Sequence, residues 1–249
     1  MRLSSILFWK SGCFSVAFYH YLTYFGFKIT VNENYEIKRN IKMKEKGGML
    51  MSFEQEITLQ YYNNNAQKFV QDTQKINFRQ LQQEFLSYIP LGGNILDFGC
   101  GAGRDSKYFL SKGYKIQALD GAEKMALLAE QYIKQAVLCQ SFLDFYETDA
   151  YDGIWACASL LHLPWYDLRD VLHNLANSLH NEGIFYASFK YGVYDGMRNG
   201  RYFTDMTEER WQKLMRDNDA LKVLKLWITT DVRKERSDDR WLNILCKKQ

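Results

Sequence analysis

From Ser52 onward, short apolar runs alternate with stretches carrying apolar residues every three or four positions. That pattern predicts strands alternating with helices, and so an α/β domain with a largely parallel sheet. A first helix is expected over 53–73, opened by a capping box with Ser52 at the N-cap and Gln55 three residues on. A second, over 78–88, is ended by Pro90. Residues 94–98 form a short apolar strand that runs straight into a glycine loop. Helices then follow over 104–112, 122–135 and 168–179, alternating with strands over 115–119, 136–139, 153–157 and 184–189.

The order changes after that. Residues 191–203 carry three glycines and no periodicity, and read as a loop of functional length. A helix over 207–216 has Glu208 and Glu209 in its first turn, favourable to the helix dipole. Strands over 221–230 and 241–246 are joined by a charged turn at 231–239, which makes them antiparallel. No repeat, low-complexity run or linker divides the chain, so 51–249 is expected to be one domain.

The first fifty residues differ in character. Residues 3–27 are apolar and aromatic, but Lys10, Ser11, Gly12, His20 and Thr23 interrupt them, and a spanning helix needs about 20 consecutive apolar residues. No small-x-small cleavage site follows a clean apolar core, so a signal peptide is not indicated. Lys44-Glu45-Lys46-Gly47-Gly48 are all specified by purine-rich codons, and Met49 and Met51 follow at once. That is the form a ribosome-binding site takes when translated. The expectation is that the natural protein starts at Met49 or Met51 and that 1–50 is a non-native or disordered extension.

Composition is globular, with 47% hydrophobic and 24% charged residues. The net charge of +3 would hint at an anionic partner if it were spread over the fold. However, residues 1–50 hold eight Lys/Arg against three Asp/Glu, leaving 24 against 26 for the rest. The presumed domain is slightly acidic. It lacks the basic face a nucleic-acid partner needs, and neither nucleic acid nor membrane is expected. The five cysteines show no C-x-x-C spacing, which indicates neither a disulfide framework nor a metal site and suits a reducing cytoplasm.

The chemistry-bearing segment is Ile95-Leu96-Asp97-Phe98-Gly99-Cys100-Gly101-Ala102-Gly103. A strand leading into glycines and then a helix brings backbone N–H groups against a bound ligand, and side chains there would block the approach. The second strand ends at Asp120, whose carboxylate can accept hydrogen bonds from both hydroxyls of a ribose. The dinucleotide fingerprint G-x-G-x-x-G fails, because Arg104 stands three residues after Gly101. What stands instead is D-x-G-x-G-x-G, with an acid placed for the ammonium group of an amino acid.

On these residues the chain resembles the class I S-adenosylmethionine-dependent methyltransferases over about 53–246. Within that superfamily it looks like the compact bacterial branch, with some likeness to tellurite-resistance methyltransferases around Gly101-Ala102-Gly103-Arg104-Asp105. Tyr151-Asp152-Gly153-Ile154-Trp155-Ala156-Cys157-Ala158-Ser159-Leu160-Leu161-His162 and Trp241-Leu242-Asn243-Ile244-Leu245 support it. The resemblance implies a Rossmann-like, doubly wound, mostly parallel sheet of seven strands with a C-terminal antiparallel hairpin, and S-adenosylmethionine as cofactor.

By the same resemblance, Asp97, Gly99, Cys100, Gly101 and Gly103 contact the methionine part, and Asp120 with Gly121 the ribose. Ser141 and Phe142 flank the adenine, although the acid common there in the family is missing and Phe142 also suits an ordinary core. Arg104 either reaches the cofactor carboxylate or merely begins a helix. Tyr61 and Tyr62 lie on the first helix, which covers the pocket in this family, and Tyr62 is the cofactor candidate. Ala156 and Ser159 follow as cofactor neighbours on and after the fourth strand. His162 and Tyr191 are the catalytic candidates. His162 is a natural general base by its unperturbed pKa, or a packed core histidine. Lys190, Arg201 and Tyr202 are substrate candidates, and Arg198 with Arg201 has the chemistry to clamp a carboxylate or phosphate.

Three functions remain open at this level. A methyltransferase acting on a small-molecule acceptor by in-line transfer is the first. A non-catalytic S-adenosylmethionine-binding module is the second, and a nicotinamide-dependent oxidoreductase the third, opposed by Arg104 and Asp97. The sequence identifies neither the acceptor nor the oligomeric state.

Overall fold

In a computed structural model, residues 52–216 and 219–249 are described. The expected extension over 1–50 lies outside them. Helix α1 (Phe53–Thr73) opens with both halves of the capping box, Ser52 Oγ accepting from Gln55 N and Gln55 Oε1 from Ser52 N. It is followed by α2 (Arg79–Leu86), β1 (Asn94–Phe98), α3 (Arg104–Ser111), β2 (Lys115–Asp120), α4 (Glu123–Ile133) and β3 (Val137–Cys139). Then come β4 (Tyr151–Cys157), α5 (Trp165–Ser178), β5 (Leu179–Lys190), β6 (Asp195–Arg198), β7 (Arg201–Thr204), α6 (Glu208–Leu214), β8 (Leu221–Thr230) and β9 (Arg240–Lys248).

Seven strands form one sheet in the order β3-β2-β1-β4-β5-β9-β8. The first five are parallel, and β9 runs antiparallel to both β5 and β8. Alternation along the strands divides the core between the two faces. Leu96, Phe98, Ile154, Ala156, Phe185, Ala187 and Phe189 pack into one layer with α5 and Trp211 of α6. Ile95, Trp155, Ile184, Tyr186 and Leu245 face the other, against Phe85 of α2 and Phe109 of α3. Trp155 stacks on Tyr186 at 4.0 Å between ring centres.

The expected loop over 191–203 is a correction. It contains a separate two-stranded hairpin, β6 paired antiparallel with β7, with Arg198 opposite Arg201. Asn199 and Gly200 form its turn, both with positive φ (52° and 77°). That is the backbone of a tight hairpin turn, for which Asn-Gly is the preferred dipeptide. The strand expected from residue 184 also begins earlier, at Leu179, directly after α5. No helix among the described residues is long and apolar enough to cross a membrane.

Candidate functional site

The strand order reverses between β1 and β4, and the carboxyl ends of the parallel strands open there into a cavity of about 970 Å³. Such switch points are where open α/β sheets bind ligands. The glycine loop Gly99–Ala102 forms its floor, Asp120 and Gly121 close one side, and Tyr62 and Phe69 of α1 lie across it. The wall continues through Cys157, Ser188 and Lys190 to the β8–β9 turn, and the β6–β7 hairpin contributes Arg198, Asn199, Arg201 and Phe203.

Glycine is demanded at Gly99 by both backbone and space. Its φ is +85°, and an added Cβ would stand 2.3 Å from Ser159 Cβ and 2.9 Å from Phe142 Cζ. Ser159 is held there by donating its hydroxyl to Phe98 O at 2.6 Å. Asp120 Oδ2 accepts from Gly101 N and Oδ1 from Ala122 N, each at 2.9 Å, tying the glycine loop to the end of β2. A carboxylate oxygen accepts more than one hydrogen bond, so the cavity-facing side of Asp120 retains capacity for hydroxyl donors. Burial holds its carboxyl up at about 6. At Gly121, an added Cβ would meet Leu59 Cδ2 at 2.9 Å, so its lack of a side chain lets α1 close down.

The sequence-predicted residues divide into two sets. Tyr62, Gly99, Cys100, Gly101, Arg104, Asp120, Gly121, Phe142, Ser159, His162, Lys190 and Arg201 all line the cavity. Asp97, Gly103, Ser141, Ala156, Tyr191 and Tyr202 stand outside that lining. Asp97 shares the strand face of Ile95 and is itself buried. Its Oδ2 accepts from Ser106 N at 3.1 Å and Ser106 Oγ at 2.5 Å, anchoring α3 to β1. Burial beside Asp105 raises the Asp97 carboxyl to about 7. Gly103 serves packing, since a Cβ there would meet Ile133 Cγ2 of α4 at 2.9 Å. Ser141 caps the turn at Phe142–Asp144 by accepting from Leu143 N, and Ala156 is buried core. Tyr191 donates its hydroxyl to Glu208 beneath Arg240. Tyr202 contributes backbone only, its N–H donating to Thr58 and its carbonyl accepting from His162.

His162 is locked at both nitrogens. A carbonyl only accepts, so the 2.7 Å contact with Tyr202 O fixes the proton on Nδ1, and Nε2 accepts from the Tyr62 hydroxyl at 2.7 Å. Burial, with Arg201 and Arg198 nearby, pushes the imidazole down to about 3 against the opposing carbonyl. The neutral ring thus ties α1 to the β6–β7 hairpin through both of its nitrogens. Ring-nitrogen NMR from pH 5 to 8 should show one Nδ1–H tautomer and no titration; a midpoint near 6.5 would contradict this.

Several cavity residues were not singled out from sequence. Asp105 is the hub of a buried network, accepting from Arg104 Nε and Nη2 at 2.8 and 2.7 Å, Gln82 Nε2 at 2.6 Å and Trp155 Nε1 at 2.9 Å. Its carboxyl stays below the usual range because the Arg104 cation and these donors outweigh its burial. Arg104 lies 3.7 Å from the Phe78 ring centre. The adjacent Arg-Asp pair opening a helix was the available signal. In the β8–β9 turn, Asp231 holds Arg233, and Asp239 takes Lys190.

This geometry matches known proteins. Residues 95–183 match a family model described as a methyltransferase domain. The whole fold matches a 1,6-didemethyltoxoflavin-N1-methyltransferase from Burkholderia thailandensis, solved with its substrate and S-adenosylhomocysteine, at a TM-score of 0.64 and 16% identity over 84% of this chain and 94% of that one. The chain has the fold of the class I methyltransferases. Similar too is the magnesium protoporphyrin IX methyltransferase of Synechocystis PCC 6803 (TM-score 0.59, 18% identity, 80% and 99% covered). A 4+2 cyclase, SpnF, shares this fold as well (TM-score 0.62, 13% identity, 78% and 96% covered). No curated protein matches the sequence.

Proposed function

We propose that this protein, over 51–249, transfers the methyl group of S-adenosylmethionine to a small-molecule acceptor. The observation that carries the reading is the junction of Gly99, Gly101 and Asp120 at one end of a cavity that continues well beyond them. The glycine loop leaves no room for side chains where a ligand backbone would pass, and Asp120 suits a ribose diol. When bound, S-adenosylmethionine supplies an electrophilic methyl on a sulfonium sulfur. The residues of this chain then hold, align and dry the site. Tyr62 and Phe69 cover the glycine loop, Phe142 offers a ring face to an adenine, and Ser159 and Leu161 border the path toward the acceptor end.

Alignment and water exclusion are sufficient for an in-line displacement from a sulfonium. That fits a wall on which His162 is locked and the Cys157 thiol is raised to about 12 by burial. The acceptor is accordingly one whose accepting atom brings its own lone pair. A cavity of about 970 Å³ takes a cofactor and a second small molecule, in keeping with the small acceptors named for the toxoflavin and porphyrin enzymes. Free Cys100, Cys139, Cys157 and Cys246 suit a cytoplasmic setting.

Ribose hydroxyls donated to Asp120 favour its ionised form. Affinity for S-adenosylhomocysteine should therefore be level above pH 7 and about tenfold weaker at pH 5, as a carboxyl near 6 protonates. Asp120→Asn should bind weakly without that slope; an unchanged slope in the variant would reassign it. The function itself is tested by incubation with methyl-labelled S-adenosylmethionine and the small-molecule fraction of a cell extract. Label should enter a low-mass product. Tight cofactor binding with no labelled product in any fraction would favour the non-catalytic module.

A further inference from the structure

Among the described residues, the half-buried cations of the cavity wall are paired with carboxylates, with one exception, while Arg236 at the β8–β9 turn is exposed to solvent. Arg104 is held by Asp105, Arg198 by Asp205 at 2.6 and 3.2 Å, Arg233 by Asp231, and Lys190 by Asp239. Arg201 has no carboxylate within ion-pair distance. Its Nη1 reaches the Tyr62 hydroxyl at 3.3 Å, and its Nε–H is buried without an acceptor. The side chain is nonetheless fixed in place. The guanidinium lies 4.6 Å from the Tyr61 ring centre and 5.1 Å from that of Phe203. The β6–β7 turn presses against Tyr61 as well, where a Cβ on Gly200 would come within 3.0 Å.

The cation is thus packed against ring faces while its N–H edge is under-used, and that edge is the one a guanidinium presents to a planar oxyanion. A partly buried cation with no counter-charge carries a desolvation penalty that a bound anion offsets. The surroundings have the same sign, because Arg201 and Arg198 both disfavour a cationic His162 beside them. Only one positive charge is uncompensated here, since Asp205 already neutralises Arg198. The balance therefore fits a monoanion rather than a phosphate dianion. The neighbouring walls, Tyr62, Leu161 and Phe203, are apolar or aromatic.

We infer that the methyl acceptor carries a carboxylate, which Arg201 receives at the β6–β7 end of the cavity with the acceptor's apolar body against Tyr62 and Phe203. The inference rests on the methyltransferase reading above and names the acceptor class for that site. It also gives the hairpin a role: the tight Asn199-Gly200 turn places Arg201 directly after it, at the first residue of β7.

The test is calorimetric. S-adenosylhomocysteine is titrated first, and failure of the native protein to bind it would strike the methyltransferase reading rather than this one. The loaded protein is then titrated with benzoate, anthranilate and indole-3-acetate, each against its own amide, and with inorganic phosphate. At least one carboxylate should bind tenfold or more tighter than its amide, and tighter than phosphate. Arg201→Gln should erase that preference while changing affinity for S-adenosylhomocysteine by less than threefold. Arg201→Lys, which keeps the charge without the planar fork, should retain part of it and serves if the glutamine variant does not fold. Four results would overturn the inference: no carboxylate preferred in any pair, a preference that survives Arg201→Gln, phosphate as the best probe, or a loss of S-adenosylhomocysteine affinity above tenfold in Arg201→Gln. The last would mean that the guanidinium serves the cofactor's own carboxylate.

Discussion

Asp105→Ala should destabilise the fold by about 3–5 kcal/mol, the cost of breaking a buried pair from one side. The substitution strands the Arg104 guanidinium in a site where it is mostly buried, and removes the acceptor of Trp155 Nε1 and Gln82 Nε2. Those donors come from α2, α3 and β4, so the loss is felt by a whole layer of the fold. Denaturant unfolding should show the midpoint falling with little change in slope. Replacing Arg104 by Met in the same chain should recover part of the loss, because an apolar pair avoids the uncompensated charge. An unfolding free energy within about 0.5 kcal/mol of the native protein's would mean that the network is solvated and contributes little.

Gly99→Ala should cost about 1–3 kcal/mol from its left-handed backbone alone, and more because Ser159 Cβ would stand 2.3 Å from the new methyl. Relief requires the Ser159 turn or the glycine loop to move, so affinity for S-adenosylhomocysteine should fall at least tenfold. Gly113→Ala is the matched control. Its φ is +86°, yet nothing lies within 4 Å of an added Cβ. It should show the backbone cost with no change in binding, and equal binding by both variants would show that the clash at Gly99 is accommodated.

Much of this was legible in the sequence, for identifiable reasons. β1 and β8 have their expected bounds because apolar runs ended by a glycine loop and a charged turn leave little freedom in register. The capping box placed the start of α1 to the residue. The β6–β7 hairpin was missed although Asn199-Gly200 signals it, because its strands lie off the main sheet and Asp195-Gly196-Met197-Arg198 shows no apolar alternation. Asp97 shows a limit of a different kind. Its alternation with Leu96 and Phe98 puts it on the α3 face, but its bonds to Ser106 reach nine residues along the chain, and the glycine motif does not announce them. Arg201 was a candidate on residue type alone. What singles it out is the absence of a carboxylate partner among the described residues of the folded wall, where Arg198 finds Asp205 across the hairpin and Lys190 finds Asp239 from the β8–β9 turn, and sequence alone does not show which arginine is left over.

A cavity built for S-adenosylmethionine should distinguish it from NAD in calorimetric titrations of the native protein. Saturable heat is expected with S-adenosylmethionine, strongly reduced in Asp120→Asn, and none with NAD. Binding of NAD in its place, or of neither nucleotide, would mean that the glycine loop and Asp120 serve another ligand.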